Sequence, residues 1–153
     1  MKRLMGVLIA VLLVAFAATP AMAQGPSGDR ICTGGSEVVR AEESPNSVVL
    51  FGCGARIQKG AQVNRDVVSF GGDVVIEDSV RVGNDVVVFG GNVDIAGTVG
   101  HDVTVFGGMV TLEPTAVVNG NVVPVGGTVD RKEGAIVSGR VMPNSGRNTI
   151  GAQ

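Results

Sequence analysis

The stretch Asp85 to Gly91, DVVVFGG, returns in near-copies four more times: SVVLFGC from Ser47, DVVSFGG from Asp66, DVTVFGG from Asp102 and NVVPVGG from Asn121. The starts lie 19, 19, 17 and 19 residues apart. A period that short and that regular restricts the chain to a repeat architecture before any other feature is weighed. Counted from the first residue of each copy, position 2 is Val48, Val67, Val86, Val103 and Val122, and position 5 is Phe51, Phe70, Phe89, Phe106 and Val125. Position 6 is glycine in every copy. Further along, apolar residues recur at every second place, as in Val74 and Ile76, Val93 and Ile95, or Val110 and Leu112, which is the period of a strand.

A repeat of 17 to 19 residues holds about three short strands and their corners, because a strand residue advances roughly 3.3 Å. Such a coil stacks on the next one instead of pairing with itself. Identical residues then lie above one another, about 4.8 Å apart, and every backbone group finds a partner in the adjacent coil. The expected fold is therefore all-β, a single-stranded parallel β-helix of five coils at 47–65, 66–84, 85–101, 102–120 and 121–139, within a repeat domain spanning 47–142. The third coil is shorter through a lost turn near Ala96-Gly97. The 24 glycines, with no tryptophan or tyrosine, suit a fold of many tight corners, and they lack the period of three that collagen requires.

The run V-V-V-F is apolar on both faces of its strand, so alternation alone does not say which side is core. Positions 3 and 5 share the phase of the apolar positions 9 and 11. On that basis Phe51, Phe70, Phe89 and Phe106 are expected to form a core ladder, with positions 2 and 4 outward. The outward valines would make an exposed apolar stripe, a feature that marks interfaces.

The two ends read differently from the repeats. Residues 1–23 start MKR, continue with the apolar run Leu4 to Ala18 and finish in Ala21-Met22-Ala23, the pattern of a secretory signal peptide cut after Ala23. No transmembrane segment is expected after cleavage. Loss of Lys2 and Arg3 leaves 10 basic residues against 14 acids, a net charge of −4, which gives no electrostatic footprint for nucleic acid. In an exported chain Cys32 and Cys53 sit where disulfides persist, and two cysteines allow one intramolecular pairing. Cys32 precedes Gly34-Gly35, a decayed corner one coil earlier, so a bridge tying down the N-terminal cap is expected; two unpaired thiols are the alternative. Residues 24–46 are read as an irregular N-terminal cap and 143–153 as a disordered tail. In the fifth coil Pro124 enters a strand and Arg131 takes a place held elsewhere by Ile or Leu, which marks this coil as terminal.

Catalysis finds no support. His101 is the single histidine and is read as a solvated corner residue, since one histidine does not supply a zinc site. No nucleophile has an adjacent base. The threonines occupy different positions, and the glycine-rich corners open no helix, so neither a flat threonine array nor a phosphate cradle is present. Asp66, Asp85 and Asp102 head successive copies, followed by Asn121. A calcium ladder along them is one reading; acceptance of corner amide hydrogens, the usual work of Asp and Asn in turns, is the simpler one. No cofactor is expected.

The repeats VVxFGGxVxI and xAxVxGxV, over roughly 47–142, resemble the bactofilins, the bacterial polymer-forming cytoskeletal proteins. The resemblance implies a right-handed, roughly triangular β-helix whose chains join end to end into nucleotide-free filaments at membranes or envelopes, with no catalytic residues. This chain departs from that family in its signal peptide and in having only five full coils. The function expected from residues and resemblance together is a non-enzymatic, exported structural protein, periplasmic, cell-surface or secreted. It would self-associate through its β-helix ends or an apolar face, with Val48, Val49 and Phe51 at one end and Val122, Val123 and Val125 at the other. The alternative is a monomeric binding module for an envelope glycan, calcium or a partner protein, with Asp66, Asp85 and Asp102 as its candidate ligands.

Overall fold

The computed structural model describes residues 28–142. The expected signal peptide, the start of the cap and the expected tail lie outside these residues. In chain order the strands are β1 (Arg30–Val39), β2 (Val48–Ile57), β3 (Gln62–Val63), β4 (Val67–Phe70), β5 (Val74–Ile76), β6 (Arg81–Val82), β7 (Val86–Phe89) and β8 (Val93–Ile95). They continue as β9 (Thr98–Val99), β10 (Val103–Phe106), β11 (Met109–Leu112), β12 (Val117–Val118), β13 (Val122–Val125), β14 (Thr128–Arg131) and β15 (Ile136–Val137). Every pairing is parallel and joins one coil to the next: β2 to β4, β4 to β7, β7 to β10 and β10 to β13 on the first face. A second face runs through β5, β8, β11 and β14, and a third through β3, β6, β9, β12 and β15. The fold is a single-stranded parallel β-helix.

Register follows the repeat residue by residue. Val48, Val67, Val86, Val103 and Val122 pair in succession, and so do the four phenylalanines. The short third coil loses two corner residues, yet Val82 still pairs with Val99 and Val118 with Val99 on the other side. A corner shrinks without moving the ladder.

Each Gly-Gly corner has two separate physical causes. At position 6 the backbone turns with φ between 64° and 78°, at Gly52, Gly71, Gly90, Gly107 and Gly126, a conformation in which a Cβ crowds the following carbonyl. At position 7 the conformation is ordinary and the constraint is contact. A Cβ on Gly91 would run into the carbonyl oxygen of Gly72, and one on Gly108 into that of Gly91. The first glycine is required by the turn, the second by the coil beneath it.

The corner also decides which side of the first face is core, and here the structure corrects the expected ladder. Positions 2 and 4 point inward: Val48, Leu50, Val67, Val86, Val88, Val103, Val105 and Val122 are fully buried. Phe51, Phe70, Phe89 and Phe106 point outward instead. From position 4 to position 9 is an odd number of steps, and the left-handed glycine between them reverses the phase, so positions 2 and 4, not 3 and 5, join 9 and 11 inside. The interior is thus aliphatic, filled by Val, Ile, Leu and Ala from three faces. The one buried polar side chain among the described residues, Ser69, donates to the Gly72 carbonyl at 3.0 Å.

The N-terminal cap is likewise more regular than expected. β1 pairs with β2 from Arg30 opposite Val48 to Val39 opposite Ile57, which makes a sixth, N-terminal coil. Asp29, Gly34 and Gly35 fall at its positions 1, 6 and 7, the trace of the motif that substitution at the other positions hides. Three inward positions carry charge instead of valine or alanine. Arg30 donates to Glu37 at 3.2 Å and to Glu43 at 2.8 Å, and this half-buried triad closes the N-terminal mouth of the core. Cys32 and Cys53 form the disulfide, with Cα atoms 6.2 Å apart across the first two coils.

The two glycines of one corner should therefore respond differently to alanine. Gly108→Ala, which forces a methyl into the Gly91 carbonyl, is expected to lower stability by about 2 to 3 kcal/mol. Gly107→Ala, which meets open space but strains φ, is expected to cost about 1 to 2 kcal/mol. Chemical denaturation of the two variants beside the parent gives the order, and an equal or reversed ranking would contradict the stacking contact.

Candidate functional site

With positions 2 and 4 inside, positions 3 and 5 form the outer surface of the first face. In-register parallel strands place each phenylalanine over the next. The rings of Phe51 and Phe70 stack with centroids 5.2 Å apart, those of Phe70 and Phe89 at 4.9 Å, and those of Phe89 and Phe106 at 4.6 Å, with planes within 3° of parallel. Beside this ridge runs a second column, Val49, Val68, Val87, Thr104 and Val123, each half-buried. Ile31, 67% exposed, heads the valine column, and Val125, 45% exposed, ends the aromatic one. The result is a two-column apolar face over five coils, about 24 Å tall at about 4.8 Å per row, which Ile31 extends in one column and Thr33 ends in the other.

The other faces differ in chemistry. On the second face Arg56 pairs with Glu77 at 3.2 Å, Lys59 with Asp78 at 2.8 Å and Lys132 with Asp130 at 2.9 Å. The hydrogen bond and charge of Asp78 raise the pKa of Lys59, and those of Asp130 raise that of Lys132. The third face has two-residue strands and carries mixed side chains, among them Gln62, Arg81, Thr98 and Ile136. A contiguous apolar surface is a property of the first face.

One border of that face is the aspartate column. Asp66 accepts the amide hydrogen of Asp85 at 3.3 Å, Asp85 that of Asp102 at 2.9 Å, Asp102 that of Asn121 at 2.6 Å, and Asn121 that of Arg140 at 3.0 Å. Each side chain thus closes the corner of the coil that follows, as the simpler reading of these residues requires. Among the described residues no group of three or more His, Cys, Asp or Glu is placed to hold a metal ion. On the other border, at position 8, Asp73 accepts from the Asn92 amide at 2.8 Å and Asn92 from the Met109 amide at 3.1 Å. Sequence reasoning missed this second ladder, although Asp73 and Asn92 share a position. His101 stands exposed at its corner, where its carbonyl accepts the Gly120 amide hydrogen at 3.0 Å.

The residues expected at the association ends are distributed otherwise. Val48 and Val122 are interior and fully buried, because position 2 faces the core. Val49 is not at an end, since β1 covers its strand. Val49, Val123 and Val125 instead belong to the apolar face. The ends themselves carry charge: the Arg30 triad at one, and at the other Arg131, which donates to the Ala135 carbonyl at 3.1 and 2.7 Å.

No protein-family model, no curated protein and no solved structure matches this chain. Among the described residues no helix is long and apolar enough to cross a membrane.

The aspartate column generates a direct test. Asp85→Asn keeps an acceptor for the Asp102 amide and should leave the melting temperature nearly unchanged, whereas Asp85→Ala should cost about 1 kcal/mol. Calcium should shift neither melting curve; a stabilisation that grows with calcium concentration would signal binding and return the column to the metal reading.

Proposed function

We propose that this is a non-enzymatic, exported structural protein of the cell envelope that self-associates through its apolar first face. The observation that carries the reading is the predominantly Val and Phe surface, interrupted only by Thr104 over five coils, on one side of a rod whose other surfaces are charged or mixed and whose ends are closed by charged side chains.

Three arguments favour a second copy of the chain as the occupant. The stacked phenylalanines cover one another's ring faces, so they offer a sugar ring little of the flat surface that it stacks on. Asp66, Asp85 and Asp102 along one border and Asp73 along the other disfavour an anionic lipid surface. Finally, ridge and groove repeat at the inter-coil spacing, about 4.8 Å, and the surface best matched to that repeat is another face of the same kind. The face is only two side-chain columns wide, so a pair buries less than the 1,200 Å² or so of a stable complex. The association is accordingly reversible. A self-complementary contact of this sort closes on itself, so longer assemblies need a second contact.

Export rests on the leader-like residues 1–23 and on the disulfide, which is at home in an oxidising compartment. Mass spectrometry of the protein recovered from its source should find a chain beginning at Gln24 with no alkylatable thiol. An intact leader or free Cys32 and Cys53 would place it elsewhere.

Sedimentation velocity over a concentration series tests the association. The parent chain should shift towards a dimer as concentration rises, and Val87→Lys, which sets a charge in the middle of the face while leaving the ring stack intact, should weaken pairing at least tenfold. Monomer at every concentration would sink the reading and leave the same face open to a different partner.

A further inference from the structure

We propose that the last coil is a built stop against axial strand addition, and that the partner it turns away is a second copy of this chain. The inference stands independently of the lateral contact, because it rests on backbone groups at the C-terminal edge of the rod.

In a parallel ladder alternate residues present their N–H and C=O groups to opposite neighbours. At position 2 the amide points to the following coil: Val48 donates to Asp66, Val67 to Asp85, Val86 to Asp102 and Val103 to Asn121, at 2.8 to 3.0 Å. Position 6 does the same, with Gly71 donating to Phe89, Gly90 to Phe106 and Gly107 to Val125. Position 4 lies between them in the same phase, so its amide also points forward. In the last complete coil that residue is Pro124, which has no N–H to offer. The proline thus stands where the open edge would otherwise present the middle donor of β13.

The third face shows a second block. At four of the five coil junctions the carbonyl at position 15, or its counterpart Gly97 in the short coil, accepts an amide hydrogen from the following coil: Glu43 from Gln62 at 3.0 Å, Val80 from Thr98 at 2.8 Å, Gly97 from Val117 at 3.0 Å and Ala116 from Ile136 at 2.9 Å. In the last coil the corresponding carbonyl, Ala135, accepts instead from Nε and Nη2 of Arg131. Arg131 occupies position 11, where the preceding coils have Val39, Ile57, Ile76, Ile95 and Leu112 in the core. Its guanidinium takes the place that the amide of an arriving strand would fill.

The chain itself continues the start of β13. Val122 donates to the Arg140 carbonyl at 2.9 Å, Met142 donates back to Val122 at 2.9 Å, and Val141 bridges Val122. The chain's own segment therefore occupies positions 1 to 3 of the next row, and the residue that follows in sequence is Pro143. β1, at the opposite edge, contains no proline across Arg30–Val39. The blocks are thus concentrated at one end. Exposed strand edges invite pairing with other chains, and proline is one of the devices that discourages it; here the edge is refused at two separate places.

The consequence concerns assembly size. A head-to-tail or tail-to-tail junction requires a C-terminal edge, so neither forms, and the rod does not lengthen by repeated stacking.

Restoring the repeat residues should remove the stop. The parent, P124V, R131I and the double variant P124V/R131I are compared in the disulfide-bonded chain from Gln24, each also carrying Val87→Lys to suppress lateral pairing. Sedimentation velocity and negative-stain microscopy read rod length. We expect the parent to remain short at all concentrations and the double variant to lengthen as concentration rises, with each single variant between. A double variant that is folded by circular dichroism yet sediments like the parent overturns the proposal, as does a parent that already grows end to end. Should the double variant fail to fold, R131I alone decides: concentration-dependent axial pairing supports the stop, and parent-like behaviour overturns it.

Discussion

The structure depends on one interaction repeated throughout, the in-register parallel ladder between the same position of consecutive coils. Because each coil finds its hydrogen-bond partners in its neighbours, a residue type favoured at one row is favoured at every row. Valine at position 2, glycine at position 6 and, from the second copy on, glycine at position 7 and Asp or Asn at position 1 are all consequences of that translation. The aspartates illustrate it well, since each side chain holds the amide of its counterpart one coil along. The spacing of the ladder also sets the contact between phenylalanine rings, which stack because their strands do.

A translational ladder has no natural end, and the chain supplies one at each side by breaking the repeat. At the N-terminal mouth three core positions become Arg30, Glu37 and Glu43, which pair among themselves and present charge to water. The cost of exposing a slice of aliphatic core is avoided by making the last slice polar, as capping repeats of solenoids do. At the C-terminal edge the substitutions act on hydrogen bonding: Pro124 withholds a donor and Arg131 satisfies an acceptor. Departures from a repeat that look like decay in sequence are thus the places where the structure is terminated. With the ends closed in this way, the apolar first face is the surface that the proposed association uses.

Much of this was legible from residues alone. The period of 17 to 19, the alternation beyond each corner and the glycine doublets determined a parallel β-helix, its row spacing and the identity of its corners, and offered amide acceptance as the simpler of two roles for Asp66, Asp85 and Asp102. These are local or translational properties, and a repeat displays them openly. Cys32 and Cys53 were placed close enough to bond by the same logic. What only the tertiary structure decided was orientation and closure. V-V-V-F is apolar at every place, so which side faces inward depends on how the left-handed glycine turns the chain into the next face. That turn sends Val48 and Val122 to the core and Phe51, Phe70, Phe89 and Phe106 to the surface. The N-terminal coil was hidden for a related reason: its identity lies in pairing with β2, and its charged residues answer to the end of the rod and not to the repeat.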